Sequence, residues 1–166
     1  TTLFSMDSLA EAMKFAGTVG ASFGMTIEET SASVAQFANL GLEGSMAGTQ
    51  FRMAMASAAK PTSQAAAALK KYGLTIQDIN PETKSFRDIM LTVGEAGINV
   101  ADSMAIFGTR AGANVKQVAS AMAESSEDFD NLFDNLAGAA GTTEATYKNM
   151  TDNVLGRFAE LRSAAE

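Results

Sequence analysis

The sequence contains no cysteine and no histidine. Without cysteine the chain has no disulfide framework and no thiol nucleophile, so a reducing compartment is the expected environment. Without histidine it lacks the side chain that most often serves as a general base or a metal ligand near neutral pH. These two absences remove the commonest catalytic and metal-binding chemistries.

Proline and long apolar runs are also scarce. Two prolines among 166 residues, with many alanines and ten methionines in a chain that is 46% hydrophobic, favour a helical globular domain. No apolar run approaches the roughly 20 residues that cross a bilayer, and no signal peptide is found. The net charge of −7 disfavours direct binding to duplex DNA or to an anionic membrane. The chain begins with Thr1 and ends within a helical pattern, so we interpret it as part of a longer protein.

Apolar residues recur at intervals of three and four through most of the chain, between capping residues and glycines. This pattern predicts an all-α fold, a compact multi-helix domain of six to eight short helices. The predicted N-caps are Ser8, Thr26, Ser45 and Thr62.

One segment departs from the helical period. Leu74-Thr-Ile76 alternates and is rich in β-branched residues, and Asn80-Pro-Glu-Thr83 suits a type I turn. We therefore predict at most one small β-hairpin, between Gly73 and Phe86. Ser85 and Phe86 either return as its second strand or cap the next helix.

Residues 104–115 predict two helices that meet at a sharp corner. Phe107 is expected to be buried at the vertex, and Gly108 is expected to take a positive φ that ends the first helix. Thr109 is the predicted N-cap of the second helix. Arg110 would then lie in a first helical turn, where the macrodipole disfavours a cation, so it should have a carboxylate or carbonyl partner.

The last segment carries a heptad-like apolar seam. Its residues recur at steps of three and four, which is typical of a helix that packs against another helix. We predict a compact domain over residues 1–141 and a longer amphipathic helix over residues 142–166 that continues beyond them. The seam is predicted to contact neighbouring molecules through Tyr147, Met150, Val154, Phe158 and Leu161.

Two motifs resemble chemical sites but lack essential parts. Gly20-Ala-Ser22-Phe-Gly24 has the spacing of a nucleophile elbow, but a helix precedes it and the chain has no histidine. Asp128, Asp130 and Asp134 resemble a calcium loop without its turn glycine and its final glutamate, and they suit a solvated helix face. No Gly-Lys phosphate loop occurs. We predict no catalytic residue, no cofactor and no metal site.

A set of stretches resembles the core region of the tail tape measure proteins of tailed phages. They are residues 38–52, Ala59-Lys-Pro-Thr62, residues 66–75, Phe86-Arg-Asp-Ile-Met90 and Ile106-Phe-Gly-Thr-Arg-Ala-Gly112. Their order and spacing carry the resemblance, which covers nearly the whole chain.

The resemblance implies a structural, non-enzymatic protein of phage or prophage-derived tails. Members of that family are long helical chains that occupy the tail tube, set tail length and scaffold tube assembly. The implied partners are tail tube proteins, tail-tip or baseplate proteins, tail assembly chaperones and other copies of the chain. The implied location is the virion tail, preceded by the host cytoplasm during assembly.

Two other classes of function remain open from the sequence. A peptidoglycan-cleaving helical domain would need a protonated carboxylic acid, for which the glutamates considered are Glu11, Glu29, Glu95 and Glu124. A membrane-active module would use the last helix, but its polar face mixes charges of both signs and is not basic.

Overall fold

The computed structural model describes residues 5–139. Eight α-helices and one short 3₁₀ helix lie within that range, and it contains no β-strand. In chain order they are α1 (Met6–Ser22), α2 (Ile27–Ala38), α3 (Gly44–Ala59), α4 (Ser63–Lys70), the 3₁₀ helix (Ile76–Ile79), α5 (Phe86–Glu95), α6 (Val100–Phe107), α7 (Gly112–Glu124) and α8 (residues 127–139). The predicted all-α fold is confirmed.

The chain divides into two compact units. The first is Thr1–Phe133 and the second is Asp134–Glu166. Only residues 134–139 of the second unit are described, and they are helical. The predicted boundary at residue 141 and the predicted helix over residues 142–166 lie outside the described residues and stay predictions.

The core of the first unit is built around the ring of Phe86, the first residue of α5. The centroid of this ring lies 6.1 Å from that of Phe37, 5.8 Å from that of Phe51 and 6.2 Å from that of Phe129. These rings belong to α2, α3 and α8, and each of the four side chains is almost fully buried. Tilted aromatic pairs at such distances add about 0.5–1.5 kcal/mol each to the burial of apolar area. Phe86 therefore ties four helices together.

Helix α1 packs against α3 at unusually short range. A Cβ atom added to Gly48 would overlap the carbonyl oxygen of Ala12 and would lie 2.8 Å from its carbonyl carbon. The backbones of the two helices can approach this closely only because position 48 has no side chain.

The short strand suggested by Leu74-Thr-Ile76 does not form, and the segment between Gly73 and Phe86, for which at most one small β-hairpin was predicted, contains none. Residues Ile76–Ile79 form a 3₁₀ helix, whose start is fixed by Asp78. One carboxylate oxygen of Asp78 accepts hydrogen bonds from the backbone N–H of Thr75 at 2.7 Å and from its hydroxyl at 2.9 Å. This capping box turns the chain at the point where the alternating pattern predicted a strand. Ser85 caps α5, which was the second possibility for that residue.

Of the N-caps predicted at Ser8, Thr26, Ser45 and Thr62, two are confirmed. The hydroxyls of Thr26 and Thr62 accept hydrogen bonds from the backbone of the first turns of α2 and α4. The prediction for Ser8 is wrong, because α1 begins one turn earlier and Ser5 caps it. The prediction for Ser45 is wrong as well, because α3 starts at Gly44 after Glu43.

Within residues 5–139, no helix is long and apolar enough to cross a membrane.

Candidate functional site

The site singled out by the sequence is the corner between α6 and α7. Helix α6 ends at Phe107, whose side chain is buried, and Gly108 follows with φ 87° and ψ 156°. These are the two features that the corner prediction required. The carbonyl oxygen of Gly108 accepts a hydrogen bond of 2.8 Å from the backbone N–H of Gly112, so the chain turns within four residues.

Ser103 holds the corner from the inside, although no sequence pattern indicated this residue. Its side chain is fully buried, and its hydroxyl donates a 2.7 Å hydrogen bond to the carbonyl oxygen of Gly112. A Cβ atom on Gly112 would lie 2.6 Å from the backbone nitrogen of Met104 and from the carbonyl oxygen of Ser103. The corner is therefore held by backbone contact between α6 and α7 and by one buried hydroxyl.

Two predictions about this corner are wrong. Thr109 does not cap α7, since the helix begins at Gly112 and Ala111 occupies the N-cap position without a side-chain bond. Arg110 lies in the turn before the helix, where water around its exposed side chain weakens the effect of the helix dipole, so no partner is required. Its side chain is exposed, and within the described residues it makes no ion pair or hydrogen bond.

Arg110 instead lies at the edge of an open groove on the first unit. The groove has a volume of about 320 Å³, and its apolar lining comes from Phe15 of α1 and from Met46 and Met53 of α3. Polar residues of α3 complete it, and Arg110 is the one charged residue in the lining. We call this feature the corner groove. It is an apolar surface with a single cation beside it, which suits a binding contact better than catalysis.

A second polar feature holds α4 to α6 around Asp102. One oxygen of this buried carboxylate accepts a 2.7 Å hydrogen bond from the Lys71 ammonium. The other accepts hydrogen bonds from the Tyr72 hydroxyl at 2.8 Å and the Asn99 amide at 3.0 Å. The bond from Lys71, followed by that from Tyr72, holds the pKa of Asp102 below its ordinary value of 3.8. A carboxylate that is ionised and fully bonded is a structural acceptor and a poor proton donor.

A third polar feature joins α5 to α8. Arg87 donates to both oxygens of Asp130, at 2.7 Å from Nε and at 2.9 Å from Nη2. The Ser126 hydroxyl donates to the same carboxylate at 2.9 Å. Hydrogen bonding by Arg87 is the main reason why the pKa of Asp130 lies below 3.8. Asp130, one of the three aspartates that resemble a calcium loop, therefore forms an ion pair.

The carboxylates and hydroxyls considered for catalysis are not brought together. The Ser22 hydroxyl donates to the carbonyl oxygen of Val19 at 2.7 Å, and Glu11 forms an ion pair with Lys14. Glu95 and Glu124 are exposed. In the described range, no three side chains of His, Cys, Asp or Glu cluster closely enough to hold a metal ion.

Glu29 is the exception among these candidates. Burial raises the pKa of its carboxyl above the ordinary 4.5; the backbone of Thr26 opposes the shift and the charge of Asp88 adds to it. Glu29 lines a groove of about 250 Å³ together with Phe129 and Asp130. One carboxyl with a raised pKa and one with a lowered pKa therefore border the same groove.

The predicted interaction seam, from Tyr147 to Leu161, lies outside the described residues. Its role as a contact surface stays a prediction.

Comparison with known proteins gives a consistent result. A family model described as phage-related minor tail protein matches residues 1–98. The tape measure protein of Pneumococcus phage Dp-1 is 29% identical over 161 residues, which cover 95% of this chain and 14% of that protein. The probable tape measure protein of Escherichia phage P2 is 27% identical over 171 residues, which cover 99% of this chain and 21% of that protein.

The chain therefore spans between about a seventh and a fifth of the length of these relatives. No solved structure matches it. The family model covers more than half of the chain, and both relatives are named for the same component of the phage tail. The chain belongs to the family of phage-related minor tail proteins.

Proposed function

We propose that the chain is a folded helical domain of a tail tape measure protein, which sets tail length and scaffolds assembly of the tail tube. The observation that carries the proposal is how much of this chain and how much of each relative the similarity covers. Almost the whole chain aligns with two tape measure proteins, yet it covers only 14% and 21% of their lengths. The aligned region thus corresponds to one domain-sized part of a much longer protein.

The structure of the first unit supports a mechanical role. Its helices are joined by backbone-to-backbone contact at Gly48 and Gly112 and by the shared ring contacts of Phe86. Among the described residues, no buried side-chain nitrogen or oxygen atom lacks a hydrogen-bond partner. Such a unit is well suited to keep its shape while larger assemblies form around it.

The partners and the location follow from this proposal. The chain would contact tail tube proteins and tail-tip or baseplate proteins in the virion tail, and assembly chaperones in the host cytoplasm before that. Other copies would lie beside it, joined through the seam of residues 142–166. The net charge of −7 supports a component that does not bind the genome directly.

The experiment is an in-frame deletion of residues 5–133 in the phage or prophage that encodes the chain. Tails would be purified and their lengths measured by electron microscopy. We expect either no tails or a shifted length distribution, because the deletion removes a folded part of the scaffold. A point variant on the surface, Glu124→Gln, serves as the control and should give tails of normal length. Normal tails from the deletion would contradict the proposal.

One observation favours a second candidate, a peptidoglycan-cleaving domain. Glu29 and Asp130 border one groove with pKa values displaced in opposite directions, as in glycosidases that use one acid and one carboxylate. However, both oxygens of Asp130 already accept hydrogen bonds from Arg87, and one also accepts from Ser126. That carboxylate is therefore not free to attack a sugar or to activate water.

A zymogram on purified cell walls separates the two functions. We expect no clearing by the chain and no difference between the chain and its Glu29→Gln variant. Clearing that disappears in Glu29→Gln and persists in Glu11→Gln would establish the enzyme and overturn the structural proposal.

A further inference from the structure

We propose that the corner groove receives the first turn of α2 from a second copy of the chain. In this contact Ile27 of one copy lies in the groove of the next, and its neighbour Glu28 pairs with Arg110. The contact goes beyond the tail-length function, which does not require it. It is argued from two surface features that the fold leaves without partners.

The first feature is the corner groove itself. Phe15 is 39% exposed and Met46 is 53% exposed, so much of the apolar lining faces water. Covering such surface is favourable by roughly 25 cal/mol for each Å² removed from water. Arg110 adds an exposed guanidinium that has no partner within residues 5–139. The groove is thus complementary to an apolar side chain that is followed by a carboxylate.

The second feature is the start of α2. Ile27 is 73% exposed, more than any other large hydrophobic residue in residues 7–139. Glu28 follows it, and within the same range its carboxylate makes no hydrogen bond or ion pair. The Thr26 hydroxyl accepts a 3.0 Å hydrogen bond from the backbone N–H of Glu29, which fixes the first turn that presents both side chains.

The negative charge of Glu28 distinguishes the first turn of α2 from the other exposed apolar positions as the partner of the groove. Among residues 7–139, the other large exposed hydrophobics are Phe15, Met46, Ile76 and Val100. None of them is next to an acidic residue in the sequence. A copy of the chain also carries an overall charge of −7, so two copies repel each other unless opposite charges meet locally. Pairing of Glu28 with Arg110 supplies such a meeting point.

The contact joins two different surfaces of the same protein. Each copy would offer its own α2 turn to one neighbour and its own groove to another, so the arrangement is head to tail. A contact of this kind extends from copy to copy unless a rotation closes it into a ring.

The absence of cysteine from the chain permits a direct test by disulfide trapping. Ile27→Cys and Met46→Cys would be prepared as separate 166-residue chains that differ by a mass tag, then mixed and oxidised slowly. We expect the mixed disulfide to form at least about tenfold faster than either homodimer, because only the mixed pair places both thiols in one contact. Ile76→Cys replaces Ile27→Cys as the matched control and should show no preference.

Charge exchange then tests the ion pair. Arg110→Glu in the Met46→Cys chain should slow the mixed disulfide at least about tenfold, since like charges would meet across the contact. Adding Glu28→Arg to the Ile27→Cys chain should restore the rate at which the mixed disulfide forms. Arg52→Glu reverses another exposed cation outside the groove and should have no effect.

Each outcome of these trapping experiments either supports the contact or overturns it. Preferential trapping with rescue by the charge exchange supports the contact. A statistical mixture of disulfides, or no trapping at all, overturns it. Trapping that responds to Arg110→Glu but is not rescued by Glu28→Arg would show that a different segment occupies the groove, and it also overturns the proposal. Circular dichroism of each variant checks that it is folded.

Discussion

The close contact between α1 and α3 predicts opposite effects for the same substitution at two helical glycines. Gly48→Ala adds a methyl group where the carbonyl group of Ala12 already lies, at 2.8 Å from the added atom to the carbonyl carbon. Gly17→Ala adds it where the nearest atom outside the backbone of its own helix is the terminal methyl of Met13, at 3.8 Å. Both glycines lie inside helices, in α3 and in α1.

The magnitudes follow from two competing effects. Alanine is favoured over glycine inside a helix by about 1 kcal/mol, and this gain applies at both positions. Overpacking a close contact costs about 1–3 kcal/mol, and position 48 should be at the upper end because a helix backbone cannot rotate away as a side chain can. We therefore expect Gly17→Ala to stabilise the chain by about 0.5–1 kcal/mol and Gly48→Ala to destabilise it by about 1–2 kcal/mol.

Urea unfolding followed by circular dichroism measures the difference. If the dependence of the unfolding free energy on urea concentration is unchanged, the urea midpoint should rise for Gly17→Ala and fall for Gly48→Ala relative to the parent chain. A Gly48→Ala chain that is as stable as the parent would show that α1 and α3 can separate without an energetic cost, contrary to this prediction.

Three further predictions concern the corner, the Asp102 carboxylate and the seam. Gly108→Val should destabilise the fold by at least about 1–2 kcal/mol in urea unfolding, because a β-branched residue is disfavoured at φ 87°. Asp102→Asn should be less stable than the parent near neutral pH. Because Lys71 lowers the pKa of Asp102, the ionised carboxylate stabilises the fold above pH 3.8, and this stabilisation is lost as the pH falls through the lowered pKa. The unfolding midpoints of the parent and of Asp102→Asn should therefore converge in acid. Phe158→Glu with Leu161→Glu should leave the helical spectrum intact and reduce association in sedimentation; unchanged association would count against the seam.

The parts of the fold that the sequence predicted correctly depend on local chemistry. Thr26 and Thr62 cap helices because each hydroxyl accepts a hydrogen bond from the free backbone N–H three residues later. This bond does not depend on what the helix packs against. Gly108 ends α6 because few other residues tolerate its backbone angles. Such signals are readable without knowledge of the tertiary structure.

The incorrect predictions arose where two local signals competed. Alternation at Leu74-Thr-Ile76 favoured a strand, but Asp78 bonds to Thr75 and starts a 3₁₀ helix. Thr109 is a good capping residue by type, but the bond from Gly112 to the Gly108 carbonyl delays the start of α7. That delay also places Arg110 outside the helix and invalidates the argument from the dipole.

The residues that the sequence could not select are those whose partners are distant along the chain. Asp102 meets Lys71 and Tyr72 from about 30 positions away. Arg87 meets Asp130 from 43 positions away. No local spacing indicates such pairs, and only the packing of α4 on α6 and of α8 on α5 brings them together. The corner groove has the same origin, because its lining comes from α1, α3 and the turn before α7.

In the function proposed above, this chain is a compact domain within a tail tape measure protein. The most direct test is tail length in two engineered phages, one with residues 5–133 duplicated and one with a continuous helix of equal residue number inserted next to them. A compact unit of about 130 residues is only about 35–40 Å across. A continuous helix of the same number of residues is about 200 Å long at 1.5 Å per residue.

Electron microscopy of purified tails gives the length of each. We expect the helical insertion to lengthen the tail by up to about 200 Å and the duplication to lengthen it by about 40 Å or less. A duplication that lengthens the tail as much as the continuous helix, or a helical insertion that leaves tail length unchanged, would contradict the proposed function.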